Sequence, residues 1–156
     1  MSKYESQIKE IGAPQDAVYT KLADLSNLAQ VRERLNDPAV REHLKAQVSE
    51  DKIQDISQKL DTMTFDTDFV TIDMPPVGQI TLRVIEREPY KCIKYQAQNS
   101  PIPLTLWIQI LPISPTNSKL RVTLDAQLNM FMKMMVEKHL RTGIDRFADM
   151  LTMLPY

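Results

Sequence analysis

In the stretch "LDAQLNMFMKMMVEKHLRTGIDRFADML", residues 124–151, the spacing of apolar residues changes from every second position to every third or fourth. The fold depends on this change. At the start of the stretch, apolar Leu124 and Ala126 alternate with Asp125, which is typical of a strand with one covered face. After residue 131 the apolar residues recur every three or four positions, which predicts a long helix over roughly residues 131–154. At about 100° per residue, one stripe of that helix collects Val136, Leu140, Gly143, Ile144, Phe147, Leu151 and Leu154, with Met132 and Met150 at its edge.

A series of short alternating segments precedes this junction. It predicts six successive strands, at residues 60–65, 69–74, 79–87, 91–98, 104–111 and 119–128. The connections are short and rich in Pro, Asp, Asn and Ser, so neighbouring strands are expected to run antiparallel as a meander. One face of this sheet should be covered and the other exposed. The predicted carboxy-terminal helix is the only long helix available to cover the sheet.

The amino-terminal part predicts one more strand and several short helices. Residues 3–11 alternate in polarity, and the face expected to be buried carries Tyr4, Ser6 and Ile8. A short amphipathic helix should follow this strand, and Asp37 is typical of the residue that caps a second one. Residues 49–60 fit either a helix or the approach to a strand, and the pattern leaves both open.

Length and composition limit the class of protein. The 156 residues, 43% hydrophobic and 25% charged, suffice for one globular domain with a sizeable core. The formal net charge is −1 and the cations are spread along the chain, so no nucleic-acid partner is expected. The sequence has neither the apolar segment of a signal peptide nor a run of about 18 apolar residues. Cys92 is the only cysteine, so a cytoplasmic location is expected.

Three stretches resemble one known superfamily. Residues 6–28, "SQIKEIGAPQDAVYTKLADLSNL", are similar to its opening strand, its turn into the first helix and the following "L-x-D-L-x-N". Residues 77–95 are similar to its central hairpin, and residues 124–151 to its last strand and long helix. The chain thus resembles the SRPBCC, or START-like, superfamily, which includes polyketide cyclases and plant pathogenesis-related proteins.

This resemblance implies an α+β helix-grip fold that forms a single domain over residues 1–156. A curved seven-stranded antiparallel sheet would surround the long carboxy-terminal helix, with short helices after the first strand. The resemblance also implies a cavity between sheet and helix, which members use for lipids, polyketides or other apolar molecules. Some members are cyclases or dehydratases, and many have no known reaction.

No metal site or cofactor is predicted. Met130, Met132, Met134 and Met135 superficially suggest a thioether copper site. Helical geometry sends their sulfur atoms in different directions, so packing in a core or cavity wall is expected instead. The two histidines and Cys92 do not have the spacing of a zinc site.

The leading hypothesis is the binding of a small hydrophobic or amphipathic molecule between sheet and helix. Methionine suits the wall of such a cavity because its side chain adapts to irregular shapes. The predicted ligand-binding residues of the helix are Met132, Met135, Val136, His139 and Gly143. Those of the sheet are Ile72, Met74, Leu106, Ile108, Val122 and Leu124.

Two alternatives stay open. The chain could be a cyclase or dehydratase in which His139 carries a proton beside Asp73 or Tyr95, although an exposed helical histidine is the more common occurrence. It could also be an interaction module with a closed pocket, and a homodimer is then among the expected partners. Trp107 is out of phase with the apolar residues of its strand, so it could mark a partner surface.

Overall fold

The computed structural model describes residues 2–46, 48–74, 78–98 and 100–156, and it shows an α+β chain. Two short strands come first, β1 (Ser2–Glu5) and β2 (Lys9–Ile11). Four helices and a 3-10 turn follow: α1 (Gln15–Ala23), the turn Leu25–Leu28, α2 (Ala29–Leu35), α3 (Pro38–Lys45) and α4 (Glu50–Asp61). The rest is β3 (Thr64–Phe65), β4 (Phe69–Met74), β5 (Gly78–Glu88), β6 (Cys92–Gln98), β7 (Leu104–Pro112), β8 (Ser118–Ala126) and α5 (Met130–Leu151).

The strands form one curved antiparallel sheet in the order β1-β8-β7-β6-β5-β4-β3, and β2 also pairs with β8. The predicted meander is therefore confirmed, and the first strand extends the sheet by pairing with the last. The face that packs against α5 and the short helices is called the inner face below, and the opposite one the outer face. A register irregularity between Val84 and Glu86 in β5 bends the sheet.

The first strand differs from its prediction because it is interrupted. Glu5 pairs with Thr123 and Lys9 with Leu120, so four steps along the first strand match only three along β8. One extra residue in a strand is a β-bulge, and it reverses the side to which the following residues point. Tyr4 and Ser6 are buried as predicted, but the prediction for Ile8 was wrong, since its side chain is exposed.

The open question at residues 49–60 is answered by helix α4. Ser49 caps it, because its hydroxyl accepts a hydrogen bond from the Lys52 N–H at 3.4 Å. The apolar stripe of α4 is fully buried and consists of Ile53, Ile56 and Leu60. Helix α4 runs on to Asp61, so the strand predicted at residues 60–65 is reduced to β3, Thr64–Phe65.

Helix α5 crosses the inner face and completes the core. Its start is fixed by Asn129, whose side-chain oxygen accepts a hydrogen bond from the Met132 N–H at 2.8 Å. The buried side of α5 carries Val136, Leu140, Ile144, Ala148 and Leu151. The helix ends at Leu151, slightly before the predicted end, and Leu154 beyond it is still buried.

Ion pairs hold the second half of α5 in place. Lys9 Nζ of β2 lies 2.8 Å from Asp149 Oδ1 and 3.8 Å from Asp145 Oδ1. Arg146 Nε donates to Asp55 Oδ2 of α4 at 3.3 Å. Asp149 is buried, so its pairing with Lys9 offsets the cost of removing a charge from water. These contacts connect α5 to an edge of the sheet and to the helical layer.

Candidate functional site on the inner face

A row of five side chains crosses the inner face of the sheet. The pairing registers align Val84 with Tyr95, Tyr95 with Leu106, Leu106 with Leu124, and Leu124 with Tyr4. Paired residues of antiparallel strands point to the same side of a sheet, so all five project toward the helices. We call these five residues the inner row. Leu106 and Leu124, both predicted to contact a ligand, occupy the row between the two tyrosines.

The two tyrosines of the inner row place polar atoms in an apolar interior. Tyr95 is 1% exposed and Tyr4 is 3% exposed, and within the described part of the chain neither hydroxyl has a hydrogen-bond partner. Burial raises the pKa of Tyr95, so its hydroxyl stays protonated and can both donate and accept. A buried hydroxyl without a partner costs about 1–3 kcal/mol. A polar group of a bound molecule would remove that cost.

The structure brings together five of the predicted ligand-binding residues on the buried side of the interface. Leu106, Ile108, Val122 and Leu124 are buried on the inner face, and Val136 faces them from α5. Ile72 on β4 and Met132 on α5 are partly buried and pack against the same core. For Met74 only the backbone, paired with Gly78, is described, and its side chain lies outside the described residues.

The other three predicted residues, Met135, His139 and Gly143, lie on the exposed side of α5. Met135 and His139 each precede a buried residue, Val136 or Leu140, and one step along a helix is a rotation of about 100°. The structure therefore does not bring them to the inner row, and their contact with a ligand stays a prediction. A Cβ added at Gly143 would meet nothing within 4 Å, so close approach of the sheet does not explain that glycine.

His139, the predicted proton carrier, and its predicted partners do not share one environment. His139 and Asp73 are exposed, whereas Tyr95 is one of the most buried side chains. An acid–base pair needs its members within hydrogen-bond reach of one substrate. Tyr4, by contrast, was not predicted to belong to the site. Its inward-facing position in the first strand is visible in the sequence, but its place beside Leu124 depends on the pairing of distant strands.

A groove of about 430 Å³ with a mixed polar and apolar lining lies on the outer face. Its lining includes Trp107, Gln109, Cys92 and Lys94, and the Lys94 ammonium lies 5.6 Å from the centre of the Trp107 ring. Burial raises the pKa of the Cys92 thiol, and Glu88 and Glu86 raise it further, so the nucleophilic thiolate is disfavoured. The groove contains charges of both signs and is unlike the apolar pocket expected for a hydrophobic ligand.

The described residues contain no cluster of three or more His, Cys, Asp or Glu side chains suited to a metal ion. Across the same residues, no helix has both the length and the apolar character required to cross a bilayer.

Solved structures of similar fold come from several kinds of protein. A START superfamily protein from Mycobacterium smegmatis aligns with a TM-score of 0.60 at 12% identity, over 96% of this chain and 94% of that one. Norcoclaurine synthase from Thalictrum flavum, in complex with dopamine and hydroxybenzaldehyde, aligns with a TM-score of 0.60 at 13% identity, over 97% of this chain and 84% of that one. The di-domain ARO/CYC protein BexL gives 0.56 at 15% identity, over 96% of this chain and 46% of that one.

No family model and no curated protein matches the sequence. At identities this low the likeness establishes the fold alone. The chain has the START-like helix-grip fold, so the resemblance seen in the sequence is confirmed at that level.

Proposed function

We propose that this START-like helix-grip protein binds a small hydrophobic or amphipathic molecule between the inner face of its sheet and α5. The observation that carries the proposal is the Tyr95 hydroxyl, which is buried in the apolar inner row and has no partner among the described residues. Buried polar atoms without partners are uncommon in folded proteins, and each requires an explanation. A hydrogen bond from a bound molecule provides one.

The inner row also indicates the chemistry of the ligand. Leu106, Leu124 and Val84 offer an apolar surface, and the two tyrosines offer buried hydroxyl groups. No side chain of the row itself carries a charge, and Arg141, whose guanidinium lies 5.1 Å from the centre of the Tyr4 ring, is already paired with Glu137. The expected ligand is therefore neutral, with an apolar body and at least one oxygen or nitrogen atom that accepts or donates a hydrogen bond.

The two ends of α5 differ in how firmly they close the interior. At its carboxy-terminal end, Met150, Leu151 and Leu154 are buried. At its amino-terminal end, Met132 is only partly buried, and so is Ile72 in the second half of β4. The ligand is therefore expected to enter beside the start of α5, close to the inner row.

The cyclase or dehydratase alternative is not adopted, because it requires a proton carrier facing the interior. His139 is exposed. The similarity to norcoclaurine synthase and to an ARO/CYC protein concerns the fold and assigns no reaction to this chain.

Native mass spectrometry of the protein purified from its own host tests the proposal first. The expected result is a co-purifying neutral molecule that is released when the protein is denatured. A second test is titration with Nile red, a neutral amphipathic dye with a carbonyl group, on wild type, Tyr95→Phe and Tyr90→Phe. Tyr90 is exposed, so it provides the matched control. Lack of any bound molecule together with equal dye binding by all three proteins would contradict the proposal.

A further inference from the structure

The first two turns of α5 expose large apolar side chains to solvent. Met130 is 83% exposed, Phe131 71%, Met134 82% and Met135 48%. We call these four residues the α5 patch. They span about 140° of the helix circumference, with Phe131 opposite Leu140 and Met130 in the direction of Ala148. Contiguous exposed apolar side chains are unusual on soluble domains and mark surfaces that contact something else.

The loops beside the α5 patch carry no charge. Residues 127–129, between β8 and α5, are Gln, Leu and Asn, and residues 100–103 are Ser, Pro, Ile and Pro. The two loops are in contact, because the Gln127 N–H donates to the Pro103 carbonyl oxygen at 3.1 Å. Pro101 and Pro103 are exposed. The α5 patch is therefore bordered by an uncharged surface that includes two exposed prolines.

Positive charge flanks the α5 patch. Lys133 lies within its sequence, and Lys138 follows Met134 by four residues, one turn further along the helix. Both lysines are exposed, and neither takes part in an ion pair within the described residues. Glu137, the one acidic residue among residues 127–142, is paired with Arg141 at 2.9 Å. Residues 127–142 therefore carry three cations, Lys133, Lys138 and Arg141, against one anion.

Exposed apolar side chains together with lysines favour one kind of partner for the α5 patch. If a second copy covered the α5 patch through a two-fold contact, the lysines of both copies would approach one another, and like charges across an interface are unfavourable. A bilayer containing anionic lipids can bind both the apolar side chains and the lysines. The apolar side chains enter the boundary between headgroups and acyl chains, and the lysine side chains extend to the phosphates.

We propose that the α5 patch docks the protein peripherally on an anionic lipid surface. Met130, Phe131 and Met134 enter the boundary between headgroups and acyl chains, to a depth of about 5–10 Å. Lys133 and Lys138 lie at the level of the lipid phosphates. This inference is carried by the α5 patch and its lysines and holds whether or not a ligand occupies the interior.

Vesicle co-sedimentation tests the inference with the full-length protein. Wild type is expected to bind vesicles of phosphatidylcholine mixed with phosphatidylglycerol, and to bind phosphatidylcholine alone more weakly. The double variant Phe131→Ser/Met134→Ser should lose at least about tenfold in partition, because it removes two apolar side chains from the boundary. The double variant Lys133→Gln/Lys138→Gln should lose about fivefold per lysine, on the mixed vesicles only.

The matched control is Leu111→Ser/Ile113→Ser, which removes two exposed apolar side chains at the opposite end of the sheet. It should sediment as wild type does. All three double variants alter exposed residues, so their thermal unfolding should stay close to that of wild type.

Three results would overturn the inference. The first is that wild type does not sediment with the mixed vesicles. The second is that the patch variant Phe131→Ser/Met134→Ser sediments as the control does. The third is that wild type forms a dimer in light scattering and the patch variant does not. Nile red binding by the patch variant in the absence of vesicles separates the two proposals. If the patch variant binds the dye as tightly as wild type but no longer sediments with vesicles, the result supports docking and shows that the interior site is intact.

Discussion

The two ends of α5 contain similar side chains in opposite surroundings. At the amino-terminal end, Met130, Phe131 and Met134 are exposed. At the carboxy-terminal end, Met150 and Leu151 are buried, together with Met153 just beyond the helix. Both ends are rich in methionine, so composition alone does not distinguish them. The difference arises from what lies next to each end.

The carboxy-terminal end is held by contacts from several elements. Lys9 reaches Asp149 from β2, Arg146 reaches Asp55 in α4, and the Tyr156 hydroxyl donates to the Leu151 carbonyl oxygen. At the amino-terminal end, Val136 is the first residue of α5 that is fully inside the core. We infer that one end of the helix stabilises the fold and that the other is available for contact with ligands or surfaces.

The largest expected effect comes from truncating one apolar side chain at each end. Leu151→Ala should lower the free energy of unfolding by about 2–5 kcal/mol, because it leaves a cavity in the core. Met134→Ala should change it by less than about 0.5 kcal/mol, since the side chain is exposed. Urea denaturation monitored by circular dichroism measures both values. Equal losses in the two variants would refute the division of α5 into a buried and an exposed end.

The second effect concerns the ion pairs. Lys9→Met leaves the buried Asp149 carboxylate without its cation and should cost about 3 kcal/mol. Adding Asp149→Asn should recover a large part of that loss, because no unpaired charge is then left inside. The control is Glu137→Gln, which breaks the pair with Arg141 but leaves Arg141 over the Tyr4 ring, and it should cost about 0.3–0.5 kcal/mol. A small effect of Lys9→Met would show that the pair is not an anchor.

The third effect appears at alkaline pH. Burial raises the pKa of Tyr95 and of Tyr156. The unfolded chain therefore releases these protons first, and stability is retained below the ordinary tyrosine pKa of about 10 and lost as the pH rises above it. Each tyrosine should contribute a slope of about 1.4 kcal/mol per pH unit. Tyr156→Phe should reduce the slope measured between pH 10 and pH 11 in urea denaturation experiments, and an unchanged slope would contradict this assignment.

The smallest effect is expected between the two ends of α5, at Gly143. An added Cβ there meets no atom within 4 Å, and alanine is the better helix former. Gly143→Ala should therefore raise the free energy of unfolding by about 0.5–1 kcal/mol. Gly78→Ala is the contrasting variant, because Gly78 has a φ of 102° and alanine would be strained. Destabilisation by Gly143→Ala would indicate a role for that glycine that its open surroundings do not explain.

The elements predicted well are those whose signal is local. Strands β7 and β8 and helix α5 follow from alternation and from the recurrence of apolar residues within their own sequences. The bulge that exposes Ile8 depends on one extra residue relative to β8, which is far away in the sequence. The spacing of Ile53, Ile56 and Leu60 fits a helix, but only the packing that buries all three on one side of α4 excludes a strand.

The site was predicted less completely than the fold. Leu106 and Leu124 were identified because alternation defines their face, but the inner row arises only when three strand pairings align Tyr4 with Tyr95 and a fourth adds Val84. Met135 and His139 sit at the flank of the helical stripe, where a modest rotation of α5 decides between interior and surface. The surroundings of a helix set that rotation, and its own residues do not.

The most direct test of the central claim is the affinity of the interior for Nile red, measured by fluorescence titration of wild type and of Tyr95→Phe. The account predicts saturable binding to wild type and an affinity about fivefold to tenfold weaker for Tyr95→Phe, the worth of one hydrogen bond. The stability of that variant at neutral pH should be equal or slightly higher, because it removes a hydroxyl without a partner. Equal affinity of wild type, Tyr95→Phe and Tyr90→Phe would contradict the account, because the inner row would then not be where the molecule binds.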